Sequence, residues 1–481
     1  MRRGPSPDLL RALEARLGAR GFTTAPADMA PWLTDWRGRC HGRAEAMLSP
    51  ASLEEVQAVV ALCAEARVAL VPQGGNTSMV AGATPPASGE ALLLSMRRMN
   101  RIRSVSVEDN MLVAEAGTIL DHVHDAAAAA GRRFPLTLGA RGSATVGGLV
   151  STNAGGTQVL RFGPMRALVL GLEAVMADGS LYRGLSALRK DNRGYDLKQL
   201  LIGGEGTLGV VTAASLKLVP AAGSRGVAWV GLSSPSQALA LLRFLEERLG
   251  DAVESFELIP DEALALVLAH IPGTRAPLQL HRPWHVLVEA VEPAGSADAS
   301  ERLQDALAAA LDRGLAEDAA PAASNAQAEA LWRLRESIAE AERAEAPGVK
   351  TDISVPVSAM PQFLEAERAA IERRFAGARV VAFGHLGDGN IHFNILAPKR
   401  GDATSWMDEA GPAIAAFVYD RVAAAGGSIS AEHGIGQLKI EALARTADPA
   451  HLALQRRIKQ SLDPLGIMNP GKLFASGRNA H

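Results

Sequence analysis

The sequence predicts an α+β fold with more than one domain. At 481 residues the chain is too long to fold around a single hydrophobic core. Apolar strand-like runs alternate with helical patterns and glycine-rich loops, which favours α+β over an all-helical fold. The stretch 220–226, Pro-Ala-Ala-Gly-Ser-Arg-Gly, has the composition of a domain boundary, and beyond it strands alternate with longer helices.

Before this boundary the expected helices and strands are mostly short. Ser52 is the expected N-cap of a helix at 52–67, because Glu54 and Glu55 follow it in the first turn. The other elements expected here are helices at 7–20 and 119–130 and strands at 69–72, 91–95, 111–114, 167–176 and 210–219. Glycine-rich loops are expected to connect them.

After the boundary we expect strands, long helices and a hairpin. The strands are 227–231 and 284–291, the helices are 235–249, 298–314 and 325–345, and 311–324 is predicted to include a surface loop. Nearer the C-terminus, strands at 380–385 and 391–396 flank Asp388-Gly389, which is a strong hairpin signal.

Composition and charge exclude several classes of protein. A formal net charge of -3 gives no reason to expect a nucleic-acid partner. Cys40 and Cys63 are too few for a disulfide scaffold or a thiolate metal cluster, so both are predicted to be reduced thiols. The basic residues Arg2 and Arg3 are not followed by an apolar run, so no secretory signal is expected. The sequence contains no uninterrupted run of about 20 apolar residues, so no membrane-spanning helix is expected. The expected location is the cytoplasm, with attachment to a membrane surface as an alternative.

One glycine motif, at 204–209, is a decoy. Its letters match the dinucleotide fingerprint G-x-G-x-x-G, which has meaning only after a strand and at the start of a helix. Here a helix-like segment at 196–201 precedes the motif and an apolar strand at 210–218 follows it. An acidic residue for the ribose is also missing about 20 residues further on. We therefore reject a Rossmann domain for a nicotinamide cofactor.

Two other glycine-rich segments are better candidates for a cofactor site. The first, 72–78, lies between a strand and the next element and is rich in small residues and side-chain donors. The second runs from 142–148 into 151–156. Backbone N–H groups of such loops can approach a pyrophosphate closely because no Cβ blocks the way. Each segment alone would more often be an ordinary turn, but their combination is hard to explain as turns only.

The hairpin carries two histidines that form a candidate metal site. The turn is expected to bring His385 close to His392, and on the second strand Asn394 shares the face of His392. Two imidazoles and a carboxylate such as Glu432 suit Zn²⁺ with a position left for substrate. The adjacent His433 could move a proton.

These loops, in this order, resemble the FAD-binding domain of the vanillyl-alcohol oxidase/p-cresol methylhydroxylase superfamily, and the second half resembles the C-terminal oxidase domain of the same flavoproteins. The motifs that carry the resemblance are 35–38, 72–77, 135–156, 189–200, 204–210 and 469–472. Within the superfamily the chain is most similar to D-2-hydroxyglutarate dehydrogenases and their D-lactate dehydrogenase relatives.

The resemblance implies a domain plan and a cofactor. It implies an FAD-binding domain of the p-cresol methylhydroxylase type at 1–222, a substrate domain at 223–430 whose antiparallel sheet is covered by helices, and a segment at 431–481 that packs back near the flavin. It also implies non-covalent FAD. The residues expected to bind it are Pro72, Gln73, Gly74, Gly75, Asn76, Thr77, Ser78, Gly139, Ser143, Thr145, Gly148, Asn153, Gly155, Glu205, Gly206, Gly209 and Val210. Ser78 and Gly204 depart from the family pattern, which has glycine and serine there.

The resemblance also implies a reaction. His385, His392 and Glu432 would bind Zn²⁺ or Mn²⁺, and the metal would chelate a D-2-hydroxy acid and acidify its C2 hydroxyl. His433 would take the hydroxyl proton as general base, while the C2 hydrogen leaves as hydride to the flavin N5. A second interpretation makes His433 an orienter of Glu432. Asn394 would hydrogen-bond the C1 carboxylate.

The resemblance also implies a class of substrate. Arg335 and Lys350 would hold a distal carboxylate, so D-2-hydroxyglutarate is expected first. Ala339 replaces a threonine of the family pattern, which makes D-malate or a plain monocarboxylate an alternative. D-lactate or glycolate dehydrogenase is the runner-up function, and a non-catalytic flavin-binding subunit and an O₂-using oxidase are the competing classes. Electron-transfer flavoprotein or a quinone is the expected acceptor, and a homodimer stays open.

Overall fold

The computed structural model describes residues 4–475. Its strands, in chain order, are β1 (Phe22–Thr23), β2 (Met47–Leu48), β3 (Ala69–Gln73), β4 (Ala91–Ser95), β5 (Ile102–Ser106), β6 (Met111–Glu115), β7 (Arg132–Arg133), β8 (Val169–Met176), β9 (Leu181–Gly184), β10 (Gly209–Lys217), β11 (Val219–Pro220), β12 (Ala222–Leu232), β13 (Val253–Pro260), β14 (Trp284–Pro293), β15 (Asp318–Pro321), β16 (Gly348–Ser354), β17 (Arg379–His385) and β18 (Asn390–Leu396).

Helices connect and cover these strands. In chain order they are α1 (Pro7–Leu17), α2 (Pro26–Leu33), α3 (Leu53–Ala66), α4 (Leu120–Ala129), α5 (Val146–Thr152), α6 (Val159–Phe162), α7 (Met165–Leu168), α8 (Lys198–Leu201), α9 (Pro235–Leu249), α10 (Asp261–His270), α11 (Ala299–Asp312), α12 (Asn325–Glu336), α13 (Ile338–Glu345), α14 (Met360–Arg374), α15 (Ala403–Ala424), α16 (Ile440–Thr446) and α17 (Pro449–Leu462). Within residues 4–475, none of them combines the length and the apolar content needed to cross a membrane.

The chain folds into two compact units. Unit 1 contains residues 4–155, 163–219 and 432–475 of the described part of the chain. Unit 2 contains residues 156–162 and 220–431. The glycine-rich loops and the C-terminal segment therefore belong to unit 1, and the histidine hairpin belongs to unit 2.

Two sheets form the framework of unit 1. The first has the strand order β1-β2-β4-β3, with β2, β4 and β3 parallel to one another. The second has the order β5-β6-β10-β8-β9 and is antiparallel throughout. The decoy motif lies between α8 and β10, and this helix–loop–strand order agrees with our rejection of a Rossmann fingerprint.

Helix α3 shows why the local sequence of unit 1 folds as predicted. The Ser52 Oγ accepts a hydrogen bond from the Glu55 N–H at 3.2 Å, which confirms the predicted N-cap. One face of the helix is buried in the core of the first sheet through Val56, Val59, Val60 and Cys63. Both cysteines are free, and burial raises the pKa of the Cys63 thiol to about 12, so this thiol is a core side chain.

Unit 2 is built on one antiparallel sheet. Its strand order is β15-β12-β14-β13-β17-β18-β16. Helix α9 covers part of it with the buried residues Ala238, Leu241, Leu242 and Leu245. The last four strands in this order bring together residues far apart in sequence, and the register sets which side chains are neighbours.

Two predictions for this half are wrong in detail. The stretch predicted as a surface loop contains β15, which pairs with the edge of β12 through Trp229↔Ala320. Such pairing uses main-chain hydrogen bonds, which the Ala- and Pro-rich composition of the stretch does not reveal. The helix predicted at 325–345 is interrupted at Ser337 and forms α12 and α13. The predicted hairpin is confirmed as β17 and β18.

Candidate active site

Unit 1 contains a cavity of about 610 Å³ walled by the glycine-rich loops. Nearly all residues expected to bind the cofactor line it: Pro72, Gln73, Gly74, Gly75, Asn76, Thr77, Ser78, Gly139, Ser143, Thr145, Gly148, Gly155, Glu205, Gly206, Gly209 and Val210. Asn153 lies elsewhere: it ends α5 in the left-handed conformation at φ 51°, and its Oδ1 accepts a hydrogen bond from the Arg166 N–H at 2.8 Å. The wall also contains Glu432, His433 and Asn469.

Side chains of the first glycine loop hold its shape. The Gln73 Nε2 donates to the carbonyl oxygens of Trp32 and Ala83, both at 2.9 Å. Asn76, at φ 54°, donates from Nδ2 to the Thr34 carbonyl oxygen at 2.8 Å. These amides stabilise the turn, so the main chain of the loop is the part suited to meet an anionic group.

The cavity fits a large polar ligand such as FAD. At Gly75 an added Cβ would lie 1.8 Å from the Ser143 carbonyl oxygen, so the two glycine loops approach each other more closely than any side chain allows. Three lining residues carry buried oxygens without a hydrogen-bond partner among residues 4–475, namely Gln73 Oε1, Thr145 Oγ1 and Asn469 Oδ1. Buried polar atoms of this kind usually have a partner, and a bound ligand would supply it.

Gly75→Ala tests the role of this close approach. Because the new Cβ would overlap main-chain atoms, the loops must separate, at a cost of about 1–3 kcal/mol. We expect FAD affinity to fall about 10- to 100-fold. The measurement is the flavin-to-protein ratio after dialysis against dilute FAD. Gly411→Ala is the control, because its Cβ would make only ordinary contacts at 3.7 Å. Full flavin retention by Gly75→Ala would contradict the assignment.

Glu205 positions the loop that follows His433. Its Oε1 accepts a hydrogen bond from the Ile435 N–H at 2.7 Å, and its Oε2 accepts one from the Gly436 N–H at 2.8 Å. Burial raises the pKa of the Glu205 carboxyl, and these two hydrogen bonds oppose that rise. Glu205 also lines the cavity, and so do Glu432 and His433, which the loop carries.

Glu205→Ala should therefore loosen the loop as well as the cavity wall. Two hydrogen bonds to a carboxylate are lost, each worth about 1.5–3 kcal/mol, so unit 1 should be destabilised by about 3 kcal/mol or more. Thermal unfolding of the flavin-loaded protein measures this. Glu65→Ala, at an exposed position of α3, should leave the melting temperature unchanged. Equal melting temperatures for the two variants would show that the Glu205 contacts contribute nothing.

In unit 2 the sheet register places four of the predicted metal-binding and substrate-binding residues, His385, His392, Lys350 and Asn394, on neighbouring strands. Glu257 of β13 lies opposite His385 of β17. His392 of β18 lies between Phe383 of β17 and Asp352 of β16. Two residues further along β18, Asn394 lies opposite Lys350. Since alternate residues share a face, His392 and Asn394 point to the same side, as predicted.

The two histidines are close together, and each is near a carboxylate. The ring centroids of His385 and His392 are 5.6 Å apart. The His385 Nδ1 lies 2.6 Å from the Glu257 Oε1, and the His392 Nδ1 lies 3.7 Å from the Asp352 Oδ1. A carboxylate on Nδ1 fixes the tautomer and directs the ring's basic lone pair to Nε2, which is the usual arrangement of a metal-binding histidine. The donor set of this pair fits a divalent metal.

Glu257 is a residue of the candidate site that the sequence did not reveal. It is fully buried, and it contacts Arg335 as well as His385. Its Oε2 accepts a hydrogen bond from the Arg335 Nε at 2.8 Å. Burial alone would raise the pKa of the Glu257 carboxyl, but the His385 and Arg335 charges and hydrogen bonds lower it to about 2. The Arg335 guanidinium also stacks over the Phe383 ring at 4.8 Å. Arg335, expected to bind substrate, therefore also supports the carboxylate behind His385.

Glu342 is the second residue that was missed. Lys350 Nζ donates a hydrogen bond to its Oε2, and Asn394 Nδ2 lies 3.0 and 3.1 Å from its two oxygens. Glu342 is completely buried on α13. Burial raises the pKa of this carboxyl, and the Lys350 ammonium opposes the rise. Two of the three predicted substrate-binding residues thus contact one internal carboxylate. Ala339, one turn earlier on α13, is exposed.

Comparison with protein families gives two matches that together span most of the chain. Residues 223–473 match the C-terminal domain of FAD linked oxidases, and residues 44–184 match an FAD binding domain.

Curated relatives match over nearly the full length. The chain is 40% identical to the D-2-hydroxyglutarate dehydrogenase of Xanthomonas citri pv. viticola, over 96% of both chains. It is 38% identical to the mitochondrial D-2-hydroxyglutarate dehydrogenase of Bos taurus, over 98% of this chain and 84% of the relative. A putative mitochondrial D-lactate dehydrogenase of Schizosaccharomyces pombe is 33% identical, over 94% of this chain and 85% of the relative.

Solved structures share the fold at low identity. p-Cresol methylhydroxylase with substrate bound superimposes with a TM-score of 0.76 at 15% identity, over 97% of this chain and 96% of the other. Alkyldihydroxyacetonephosphate synthase gives a TM-score of 0.74 at 16% identity, over 98% and 87%. These two matches establish the α+β fold of the chain.

Proposed function

Since the chain belongs to the FAD-linked oxidase family and is an FAD-dependent D-2-hydroxy-acid dehydrogenase, we propose that its reaction is metal-dependent and that His433 removes the hydroxyl proton. The observation that carries the proposal is the His385/His392 pair with Glu257 behind it. A buried carboxylate that contacts the Nδ1 of a histidine in such a pair is typical of a metal site.

FAD is proposed to lie in the cavity of unit 1. The loop at 72–78 would hold its pyrophosphate, and the loop at 142–148 would add further contacts. The unpartnered oxygens of Gln73, Thr145 and Asn469 could accept hydrogen bonds from the hydroxyl and N–H groups of the cofactor. When bound, the flavin would accept the C2 hydride of the substrate at N5. The chain's own part is to fix the cofactor and to exclude water around it.

The metal is proposed to be Zn²⁺ or Mn²⁺, with His385, His392 and Glu432 as ligands. Imidazole nitrogen and carboxylate oxygen suit both ions. When bound, the ion would lower the pKa of the substrate's C2 hydroxyl. Glu257 would keep His385 in the binding tautomer through its 2.6 Å contact with Nδ1. The Asp352 Oδ1 lies 3.7 Å from the His392 Nδ1, beyond hydrogen-bond distance, and would contribute negative charge near that ring.

His433 is proposed as the general base that takes the proton from the C2 hydroxyl. It lines the cavity proposed for the flavin, on the loop that Glu205 anchors through Ile435 and Gly436. Histidine is the side chain most often used as a general base at neutral pH. The competing role, orienting Glu432 toward the metal, predicts that metal content changes when His433 is replaced.

The substrate's C1 carboxylate is proposed to bind the metal with Asn394 beside it, so that the positive charge of the ion would offset the Glu342 carboxylate that Asn394 also contacts. The named activities of the relatives at 37–40% identity favour D-2-hydroxyglutarate, in agreement with the sequence-based expectation, and D-malate is the shorter diacid of the same class. A second candidate, oxidation of monocarboxylates such as D-lactate or glycolate, is favoured by Glu342, because this carboxylate already contacts Lys350 and Asn394.

Partners and location are part of the same proposal. The electron acceptor is proposed to be electron-transfer flavoprotein or a quinone, since a dehydrogenase needs an acceptor other than O₂ to reoxidise its flavin. The cytoplasm, the membrane surface as an attachment site, and a homodimer stay predictions.

An anaerobic stopped-flow panel tests the function. D- and L-2-hydroxy acids are mixed with the purified flavoprotein, and flavin bleaching is followed with and without a chelator. We expect rapid bleaching by a D-2-hydroxy acid only, and its loss after chelation. A yellow protein that no D-2-hydroxy acid reduces would instead be a non-catalytic flavin-binding subunit. Peroxide release in air would indicate an oxidase.

A further inference from the structure

We propose that Glu342 determines substrate specificity by excluding a second carboxylate, so that the preferred substrates are D-2-hydroxy monocarboxylates with an uncharged side chain. This inference rests on the proposed oxidation of D-2-hydroxy acids and names the substrate class for that same site. It starts from one observation: the lysine expected to bind a distal carboxylate already contacts an internal one.

The first step concerns charge. Arg335 is paired with Glu257, and Lys350 is paired with Glu342, so two buried carboxylates balance the two cations. A site that recognises a diacid needs a surplus of positive charge to offset the desolvation of the second carboxylate. Here the distal carboxylate of a diacid would approach Lys350, whose ammonium group is already paired with the Glu342 carboxylate. Like charges in contact away from water disfavour binding strongly.

The second step concerns the position of Glu342. It follows Ala341 on the buried face of α13, and its side chain is not exposed to solvent. Contacts from Lys350 on β16 and Asn394 on β18 hold it from two strands at once. Moving this carboxylate aside would leave a buried charge without its partners, so Glu342 is a fixed part of the wall.

The third step concerns the neighbouring turn of the helix. Ala339 precedes Glu342 by three residues, and its methyl group offers no hydrogen bond to a carboxylate. A balanced ion pair accepts a neighbouring alkyl side chain without leaving polar groups unpaired, and Ala339 adds no hydrogen-bonding group that would favour a carboxylate. The substrate class that suits these features is a 2-hydroxy acid whose side chain is short, apolar and uncharged.

The experiment compares two substrates of equal length. D-2-Hydroxyglutarate and D-2-hydroxyvalerate share a five-carbon chain and differ at the end, where one carries a carboxylate and the other a methyl group. Anaerobic flavin reduction by each is measured in the wild-type holoenzyme, in Glu342→Gln and in Glu342→Leu. Glu340→Gln is the matched control, because Glu340 is exposed on the same helix. Binding of 2-oxoglutarate and 2-oxovalerate, followed by perturbation of the flavin spectrum, gives a readout independent of turnover.

We expect the wild-type protein to reduce its flavin with D-2-hydroxyvalerate at least about 10-fold more efficiently than with D-2-hydroxyglutarate. Glu342→Gln should shift this ratio toward the diacid by about 100-fold, as expected when a like-charge contact is removed. Glu340→Gln should leave the ratio unchanged. The oxo-acid dissociation constants should move in the same direction.

Two results would overturn the inference. One is a wild-type preference for D-2-hydroxyglutarate, a result that needs no variant to fold. The other is an unchanged ratio in both Glu342 variants. Failure of the proposed function looks different: no D-2-hydroxy acid would reduce the flavin in the wild-type protein or in any variant, and the specificity inference would fall with it.

Discussion

Replacing His433 with asparagine lowers the rate of flavin reduction by a D-2-hydroxy acid about 10³-fold if His433 is the general base, within the range usual for acid–base catalysis. Asparagine is similar in size and polarity but cannot take a proton at neutral pH. The substrate hydroxyl would then have to lose its proton to water. The rate is measured by anaerobic stopped-flow absorbance, and reduction by dithionite is the control for an intact flavin site.

The two roles considered for His433 differ in their effect on metal content. A general base can be removed without loss of metal, whereas an orienter of Glu432 cannot be removed without weakening a ligand. Elemental analysis of His433→Asn should therefore give one metal ion per chain, as in the wild type. A slow variant that has also lost its metal would assign His433 to the orienting role, and a variant with unchanged rate would exclude both.

The second large effect is expected at the metal itself. His392→Ala removes a proposed ligand from β18, and we expect the purified variant to lose its metal and about 10³-fold or more of its rate of flavin reduction, since the stabilisation of developing charge by a metal amounts to several kcal/mol. FAD should stay bound, because the flavin cavity lies in unit 1. His451→Ala, at an exposed position of α17, is the matched control.

Glu257→Gln gives a graded version of the same test. The amide still reaches His385 and Arg335 but carries no charge, and loss of a supporting carboxylate typically weakens metal affinity about 10- to 100-fold. Titration of the chelated protein with Zn²⁺ measures the difference from the wild type. Unchanged flavin reduction in the chelated wild-type protein would refute the proposed role of the metal.

The sequence predicted those parts of the site that depend on local signals. Glycine-rich loops between a strand and a helix, and a hairpin with histidines on both strands, are encoded within short stretches, and the structure places them as expected. Asn153 is the one expected cofactor residue that is not among those lining the cavity. It ends α5 in the left-handed conformation and accepts a hydrogen bond from the Arg166 N–H, and its contact with the cofactor stays a prediction.

The two residues that the sequence did not reveal contact partners on other strands and helices. Glu257 precedes His385 by 128 residues, and only the pairing of β13 with β17 brings them together. Glu342 did leave a local signal, because it follows Ile338 and Ala341 on the buried face of α13, where a charged residue needs a partner. That signal indicates burial but not the partner, and Lys350 and Asn394 come from two other strands.

The sharing of Glu257 between His385 and Arg335 limits how this protein can change its substrate. A charge reversal at Arg335, which would seem the natural way to test for diacid binding, would also place a second negative charge beside Glu257 and disturb the ring that Glu257 holds. If His385 binds the proposed metal, a change at Arg335 is therefore expected to alter metal affinity together with side-chain preference. Glu342 contacts Lys350 and Asn394 instead of the carboxylate behind His385, so a substitution there is expected to change side-chain preference with less effect on the metal.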